Sequence, residues 1–117
     1  MTTMAKEEFK VVKNWTDADR QKHIGKVGGE RNLIEIEVKT NDGYLFSYLV
    51  KRPGKSVCQA VAEAEQKKDI TAMQNYLIAC VLEGDKEAYE HDGAIYTQLI
   101  GKITKLVNEA KADIKKP

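Results

Sequence analysis

The feature that most constrains the fold is an alternation of apolar and polar residues that stops at one turn sequence and then restarts. Residues 33–40, LIEIEVKT, carry β-branched side chains at alternate positions, and residues 44–50, YLFSYLV, resume the alternation with aromatic ones. Between them stands NDG, whose residues tolerate the positive φ of a tight turn. The pattern predicts a β-hairpin over about residues 32–51 with one buried and one solvated face. Because two strands alone are only marginally stable, the hairpin must pack on helices or join a larger sheet.

Beyond Pro53 the apolar period changes from that of a strand to that of a helix. Three helices are predicted, over about 55–67, 70–82 and 93–112. The second is apolar around much of its circumference, so we expect it at the centre of the core. Residues 84–91 are polar and are predicted to form a loop or a single turn. Together these elements predict an α+β fold in which the hairpin packs on a three-helix unit.

The predicted helices begin near residues that suit the capping of a first turn. Ser56, Asp69 and Asp92 are the expected caps of the three helices. A further short helix is predicted over about 17–24, where Thr16 and Asp19 form an acidic variant of the capping box. This short helix lies outside the three-helix unit.

The first 31 residues are expected to form an N-terminal arm, and residues 32–117 the α+β domain. The arm contains the short helix and a glycine-rich loop, GKVGGERN, at residues 25–32. Residues 1–13 are compatible with a flexible arm or an edge strand. Trp15 directly precedes the cap of the short helix, where its ring either fixes the arm to the core or stands exposed as an anchor for a partner.

Charge and hydropathy exclude several kinds of partner. Nineteen Lys plus Arg against eighteen Asp plus Glu give a formal charge of +1, which provides no general attraction to nucleic acid or to an anionic membrane. Lys111, Lys115 and Lys116 are expected in the last turns of the third helix, where cations favour its dipole. No run approaches the roughly 18 apolar residues of a membrane span, and MTTMAKEEFK lacks the apolar centre of a signal peptide. We therefore expect a cytoplasmic protein.

The sequence Gly54-Lys55-Ser56 follows the predicted hairpin and could suggest a phosphate-binding loop. Such a loop needs a glycine five positions before the second one, and Leu49 stands there. Pro53 also has no N–H to offer a phosphate. A turn between strand and helix explains the sequence better than a small nucleotide-dependent enzyme.

The residues that most often carry catalysis or bind metals are scattered. Neither His23 nor His91 is followed, three or four residues later, by a second metal ligand. Cys58 and Cys80 lie among apolar helical residues, which favours reduced core thiols over nucleophiles. We expect no enzymatic activity, no cofactor and no metal.

A longer pattern in the chain resembles a known family. The hairpin ends in YLVKRP, and after a helix comes ITAMQNYLIACVLEGD, residues 70–85, followed by a closing helix. This order is similar to that of the small tail assembly chaperones encoded by tailed bacteriophages and prophages, over residues 33 to about 107. The resemblance implies a non-virion protein of the bacterial host cytoplasm that binds the tape measure protein, keeps its long helical apolar segments in solution and helps bring tail tube protein to it. Residues 1–31 match no part of that pattern.

A partner-binding surface is predicted on the last two helices. Apolar residues of the closing helix recur at spacings of three and four over two heptads, and this seam lies on its own domain or binds another chain. We expect the helix at 70–82 to form the floor and the helix at 93–112 the wall of an apolar groove for a client helix or a second copy of the chain. The candidate contact residues are Tyr76, Tyr96, Leu99, Ile103 and Leu106. The alternative function is a virion component, such as a head-tail connector or a tail terminator protein, that assembles into a ring.

Overall fold

The computed structural model of the chain describes residues 8–116 and has an α+β fold, as predicted. Those residues form one sheet of four strands and five α-helices. The elements, in chain order, are β1 (Lys10–Val12), α1 (Asp17–Ile24), a 3-10 turn (Glu30–Asn32), β2 (Leu33–Lys39), β3 (Tyr44–Lys51), α2 (Lys55–Gln66), α3 (Ile70–Ile78), β4 (Val81–Glu83), α4 (Lys86–His91) and α5 (Gly93–Val107). The hairpin and the short N-terminal helix lie where the sequence predicts them.

β3 is the central strand of the sheet. β2 pairs with it antiparallel along its whole length, from Leu33 opposite Lys51 to Lys39 opposite Leu45. The second edge of β3 is shared by two short strands, β1 running parallel near its start and β4 antiparallel near its end. Within residues 8–116, no strand pairs with the outer edge of β2. β2 is therefore an open edge strand of this part of the chain.

The main core lies between one face of the sheet and the helices α2, α3, α4 and α5. Side chains of β2 and β3 such as Ile36 and Tyr48 pack there against Leu77, Leu99 and Ile103. Antiparallel pairing aligns Ile36 with Tyr48, so both side chains stand on the same face. This face of the hairpin is buried, as predicted.

The opposite face of the sheet carries a second, smaller core. Trp15, Leu33 and Leu49 form a buried cluster there, and Ile24 of α1 packs against it. Trp15 is only 5% exposed, and its indole Nε1 donates a hydrogen bond to the Ser47 carbonyl oxygen at 3.2 Å. The prediction that this face is solvated is wrong here, because the N-terminal segment covers it. Trp15 fixes that segment to the sheet, and the interpretation as an exposed anchor is wrong.

The helix predicted over 70–82 ends early, since α3 stops at Ile78 and residues 81–83 form strand β4. The Lys51 N–H donates to the Cys80 carbonyl oxygen at 2.9 Å, which places the chain beside the unfilled edge of β3. In β4, Val81 joins the main core and Leu82 packs on the smaller one. Neighbouring side chains of a strand point to opposite faces of the sheet. Because residues 81–83 form a strand and not a helix, each of the two cores receives one apolar side chain from them.

The remaining corrections concern the ends of helices. Residues 86–91, predicted as a loop or a turn, form helix α4, which Asp85 caps by accepting a hydrogen bond from the Ala88 N–H at 3.1 Å. α5 ends at Val107, so the lysines at 111, 115 and 116 lie beyond the helix and not in its last turns. α2 begins after Gly54 without a side-chain cap, and the prediction of Ser56 as its cap is wrong. Asp69 and Asp92 cap α3 and α5 as predicted.

Position 84, which follows β4, requires a glycine because of its backbone conformation and because of the atoms around it. Its φ is +128°, a backbone conformation that residues with a Cβ atom rarely adopt. A Cβ on this residue would overlap the Tyr48 ring and lie 3.0 Å from the Ser47 carbonyl oxygen. The chain can pass this closely over the central strand only without a side chain.

We predict that Gly84→Ala lowers the free energy of unfolding by about 2–4 kcal/mol, because a strained φ and an overlap with a buried ring are added together. Urea denaturation followed by circular dichroism measures the change. Gly101→Ala is the matched control, since Gly101 lies inside α5 with open space around it and alanine favours a helix by up to about 1 kcal/mol. Equal unfolding midpoints for the wild type and Gly84→Ala would contradict the prediction.

Candidate peptide-binding groove

The titratable residues considered for catalysis do not converge on one cleft. Within residues 8–116, no group of three or more His, Cys, Asp and Glu side chains is placed to hold a metal ion. His23 Nε2 lies 2.8 Å from the Glu83 carboxylate, and Lys22 Nζ lies 3.6 Å from the same carboxylate. These contacts connect α1 to β4 across the smaller core. Among residues 8–116, no helix is long and apolar enough to cross a membrane.

The backbone of residues 51 and 52 is bonded to neighbouring segments and does not curl into a loop. The N–H groups of Lys51 and Arg52 already donate to the carbonyl oxygens of Cys80 and Asn32, at 2.9 and 2.8 Å. A phosphate-binding loop needs such N–H groups to point at the ligand. Gly54-Lys55-Ser56 is therefore a junction between β3 and α2.

Three groups with a raised pKa, Tyr48, Cys80 and Tyr89, lie in the main core. Burial raises the pKa of the Tyr48 phenol, whose hydroxyl donates a hydrogen bond to the Asp85 carbonyl oxygen at 2.8 Å. Burial likewise raises the pKa values of Tyr89 and of the Cys80 thiol. A raised thiol pKa leaves less thiolate at neutral pH, which weakens a nucleophile. These shifts follow from packing in the core.

The five candidate contact residues do not form one surface. Leu99 and Ile103 are 0% exposed and pack in the main core, so the prediction that they face a partner is corrected. Their seam lies on the domain's own sheet, because β2 and β3 supply an apolar face for α5 to cover. Tyr96 is partly buried with its ring 6.1 Å from that of Tyr89. Tyr76 is 43% exposed on α3, and Leu106 is half-buried near the end of α5.

Leu106 is the one candidate residue that lines a groove beside β2. Two adjoining depressions, of about 540 and 550 Å³, run between β2 and α5 and share Ile36, Glu37 and Lys102. We call this feature the β2–α5 groove. The turn at 40–42 and the start of α5 bound one end, and residues 108–109 bound the other. Tyr76 instead lines a smaller depression, of about 150 Å³, between α2 and α3.

The floor of the β2–α5 groove is apolar and its helical wall is cationic. Ile34, Ile36 and Val38 alternate along β2 and direct their side chains to the α5 side of the sheet. On the helical wall stand Lys102 and Lys105, and α5 contains no acidic residue. Ile36 and Val38 are only 9% and 5% exposed, so the floor offers a small apolar contact, centred on Ile34, and the charges offer selectivity for a segment that lies on it.

The acidic residues of β2 lie on the face of the sheet turned away from α5. Glu35 and Glu37 lie two residues apart on β2, so they share one face of the sheet. The Glu35 carboxylate accepts a hydrogen bond from Ser47 Oγ at 2.7 Å, which holds it in place beside the strand edge. The groove therefore has cations along its helical wall and acidic residues, Asp42, Asp92 and Glu109, at its two ends. Glu35 and Glu37 stand on the other face of the strand edge.

No protein-family model, curated protein or solved structure matches the chain. The geometry of the groove and the resemblance seen in the sequence are thus the two bases for a functional argument.

Sequence reasoning places the apolar groove between two helices, whereas the structure places it between a strand and a helix. The signal that points to this arrangement is the uninterrupted run Tyr48-Leu49-Val50, which is typical of a strand buried on both faces. Such a strand lies inside a sheet, which leaves its hairpin partner as the candidate for an open edge.

We predict that Leu99→Lys unfolds the domain or lowers its stability by about 4 kcal/mol or more, because the charge enters a fully buried site. Leu106→Lys is expected to change stability by less than about 1 kcal/mol, since a lysine there can extend into water. Thermal unfolding followed by circular dichroism compares the two variants. A folded, stable Leu99→Lys protein would show that the α5 seam is not core.

We also predict that iodoacetamide modifies Cys58 before Cys80 in the folded protein. Cys58 is partly exposed, whereas Cys80 is 0% exposed and its pKa is raised by burial. Mass spectrometry of timed samples measures both reactions, and the same reaction in urea is the control in which the two thiols react alike. Preferential modification of Cys80 in the native protein would contradict its burial.

Proposed function

We propose that this protein is a phage or prophage tail assembly chaperone that binds the tape measure protein during tail assembly. It works without catalysis, in the cytoplasm of the bacterial host, and helps bring tail tube protein to its client. The observation that carries the proposal is the β2–α5 groove, whose lining residues, except Asn108 and Glu109, lie within residues 33–107, the part of the chain that resembles this family. A chaperone of this kind needs a surface that covers an apolar segment for a limited time, and an open groove provides one.

The groove supports reversible binding because it combines moderate apolar area with exposed charge. The floor residues Ile34 and Ile36 are held in place by the core beneath them, so little order has to be created when a client binds. Leu106 adds an apolar side chain at the far end. Lys102 and Lys105 remain on the rim, where charged contacts influence the rate and the selectivity of association more than the final affinity.

A pull-down from infected or prophage-induced cells, with bound chains identified by mass spectrometry, tests this function. We predict that the wild-type bait captures the tape measure protein and that Leu106→Lys reduces the captured amount by about tenfold, because the substitution places a charge inside the apolar end of the groove. Ile70→Lys is the matched control, since Ile70 is 64% exposed at the start of α3 and does not line the groove.

Two results would argue against the proposal. Loss of the client with Ile70→Lys but not with Leu106→Lys would move the binding surface to the α2–α3 side of the domain. Recovery of the bait in purified virions, together with a ring-sized particle in light scattering, would instead support the virion component.

A further inference from the structure

We propose that residues 8–28, which we call the N-terminal cover, open from the sheet as one unit while the main core stays folded. This opening exposes to solvent a second apolar face of the sheet, which is formed by Leu33, Leu49 and Leu82. The face lies on the side of the sheet opposite the β2–α5 groove. The inference therefore goes beyond the proposed function and does not depend on it.

The N-terminal cover contributes to one of the two cores only. The smaller core joins Trp15, Ile24 and Val27 of the cover to the three leucines of the sheet. Within residues 8–116, the main core begins at Ile34, so no side chain of the cover packs there. The strands that carry the leucines also place side chains in the main core. Loss of the cover therefore leaves the pairing of these strands and their packing on the helices in place.

The cover is held to the sheet by few buried side chains. All eight residues of α1 are exposed or half-buried, and Val11 of β1 is 48% exposed. Within residues 8–28, only Trp15 is buried. β1 pairs with β3 over no more than three residues. A segment with so little buried apolar area opens at a lower free-energy cost than the core beneath it.

The charged contacts of the cover lie near the surface. The Glu83 carboxylate of β4 lies 2.8 Å from His23 Nε2 and 3.6 Å from Lys22 Nζ. Arg20 of α1 forms an ion pair of 2.7 Å with Glu30, whose side chain is 70% exposed. Exposed ion pairs stabilise little, because water screens their charges. These contacts orient α1 on the sheet without fixing it there.

A hinge lies where the cover meets the hairpin. Gly29 has a φ of +118°, and the space around it is open. Asn32 is fixed, since its carbonyl oxygen accepts a hydrogen bond from the Arg52 N–H at 2.8 Å. Its side-chain amide donates to the Val27 carbonyl oxygen at 2.9 Å and holds the hinge in the closed state. Because backbone rotation is least restricted at a glycine, the cover can turn about residue 29 while β2 keeps its place.

Trp15 provides a probe of the cover, because it is the one tryptophan of the chain. Far-ultraviolet circular dichroism instead reports mainly on α2, α3 and α5, which are the longest helices of the described residues. In urea, we expect the Trp15 emission to shift to longer wavelength with a midpoint about 1 M or more below that of the circular dichroism. Coincident midpoints would show that the cover and the main core unfold together, and would overturn the inference.

Glu83→Gln separates the two transitions further. The substitution removes the carboxylate that Lys22 and His23 share, so we expect the fluorescence midpoint to fall by about 0.3 M urea or more while the circular dichroism midpoint stays the same. Glu63→Gln is the matched control, since it removes an ion pair with Lys67 on α2, outside the cover. Equal shifts of both midpoints with Glu83→Gln would contradict an independent cover.

Trp15→Ala tests the exposure of the leucine face. We expect the variant to keep a cooperative urea transition in circular dichroism and to raise several-fold the fluorescence of anilinonaphthalene sulfonate, which binds exposed apolar surface. Val11→Ala is the control, because it shortens an apolar side chain of the cover that is already 48% exposed, and we expect no such rise.

Two results with Trp15→Ala would overturn the inference. An unfolded variant would show that the main core depends on the cover, and a folded variant without the rise in dye fluorescence would show that the face stays covered. Neither result bears on capture of the tape measure protein, which tests the groove on the other face of the sheet.

Discussion

The fold depends on β3 more than on any other element, because this strand is covered on both faces and paired along both edges. Six consecutive residues, 45–50, illustrate the constraint, since all but Phe46 are buried. A strand in this position must have apolar residues on both sides, or polar ones whose groups are satisfied. Ser47 meets the second condition, because its hydroxyl donates to Glu35 and its carbonyl oxygen accepts from the Trp15 indole.

The two coverings of β3 come from opposite ends of the chain. The helices after the hairpin bury one face, and the segment containing Trp15 and α1 buries the other. β4 contributes to both, because Val81 and Leu82 point to opposite sides of the sheet. The ion contacts of Glu83 with α1 then connect the N-terminal segment to this strand. Trp15 and α1, which the sequence places in the N-terminal arm, thus pack on the sheet.

The groove is a consequence of how the edges of β3 are filled. β1 and β4 are three residues long each and share one edge end to end, whereas β2 fills the other edge alone. With β1 and β4 placed on the far side, the outer edge of β2 is left open within residues 8–116, and α5 packs beside it without covering it. Open edges in natural sheets usually carry charges that discourage unwanted pairing. Glu35 and Glu37 meet that description.

The sequence by itself determined the local structure wherever one signal had no competitor. The period of two around Asn41-Asp42-Gly43 predicts the hairpin, and the capping residues Thr16 and Asp69 predict the starts of α1 and α3, because turns and caps depend on neighbouring residues alone.

Only the tertiary structure decided the rest. The apolar run Val81-Leu82 fits a buried helix and a buried strand equally well. It forms a strand because an edge of β3 is open for pairing at this point. The apolar seam that contains Leu99 and Ile103 can pack on a sheet or on a partner, and in the structure it packs on the apolar face of the hairpin. The groove, too, depends on which strand ends up at the edge of the sheet, and that order follows from the competition of distant segments for β3.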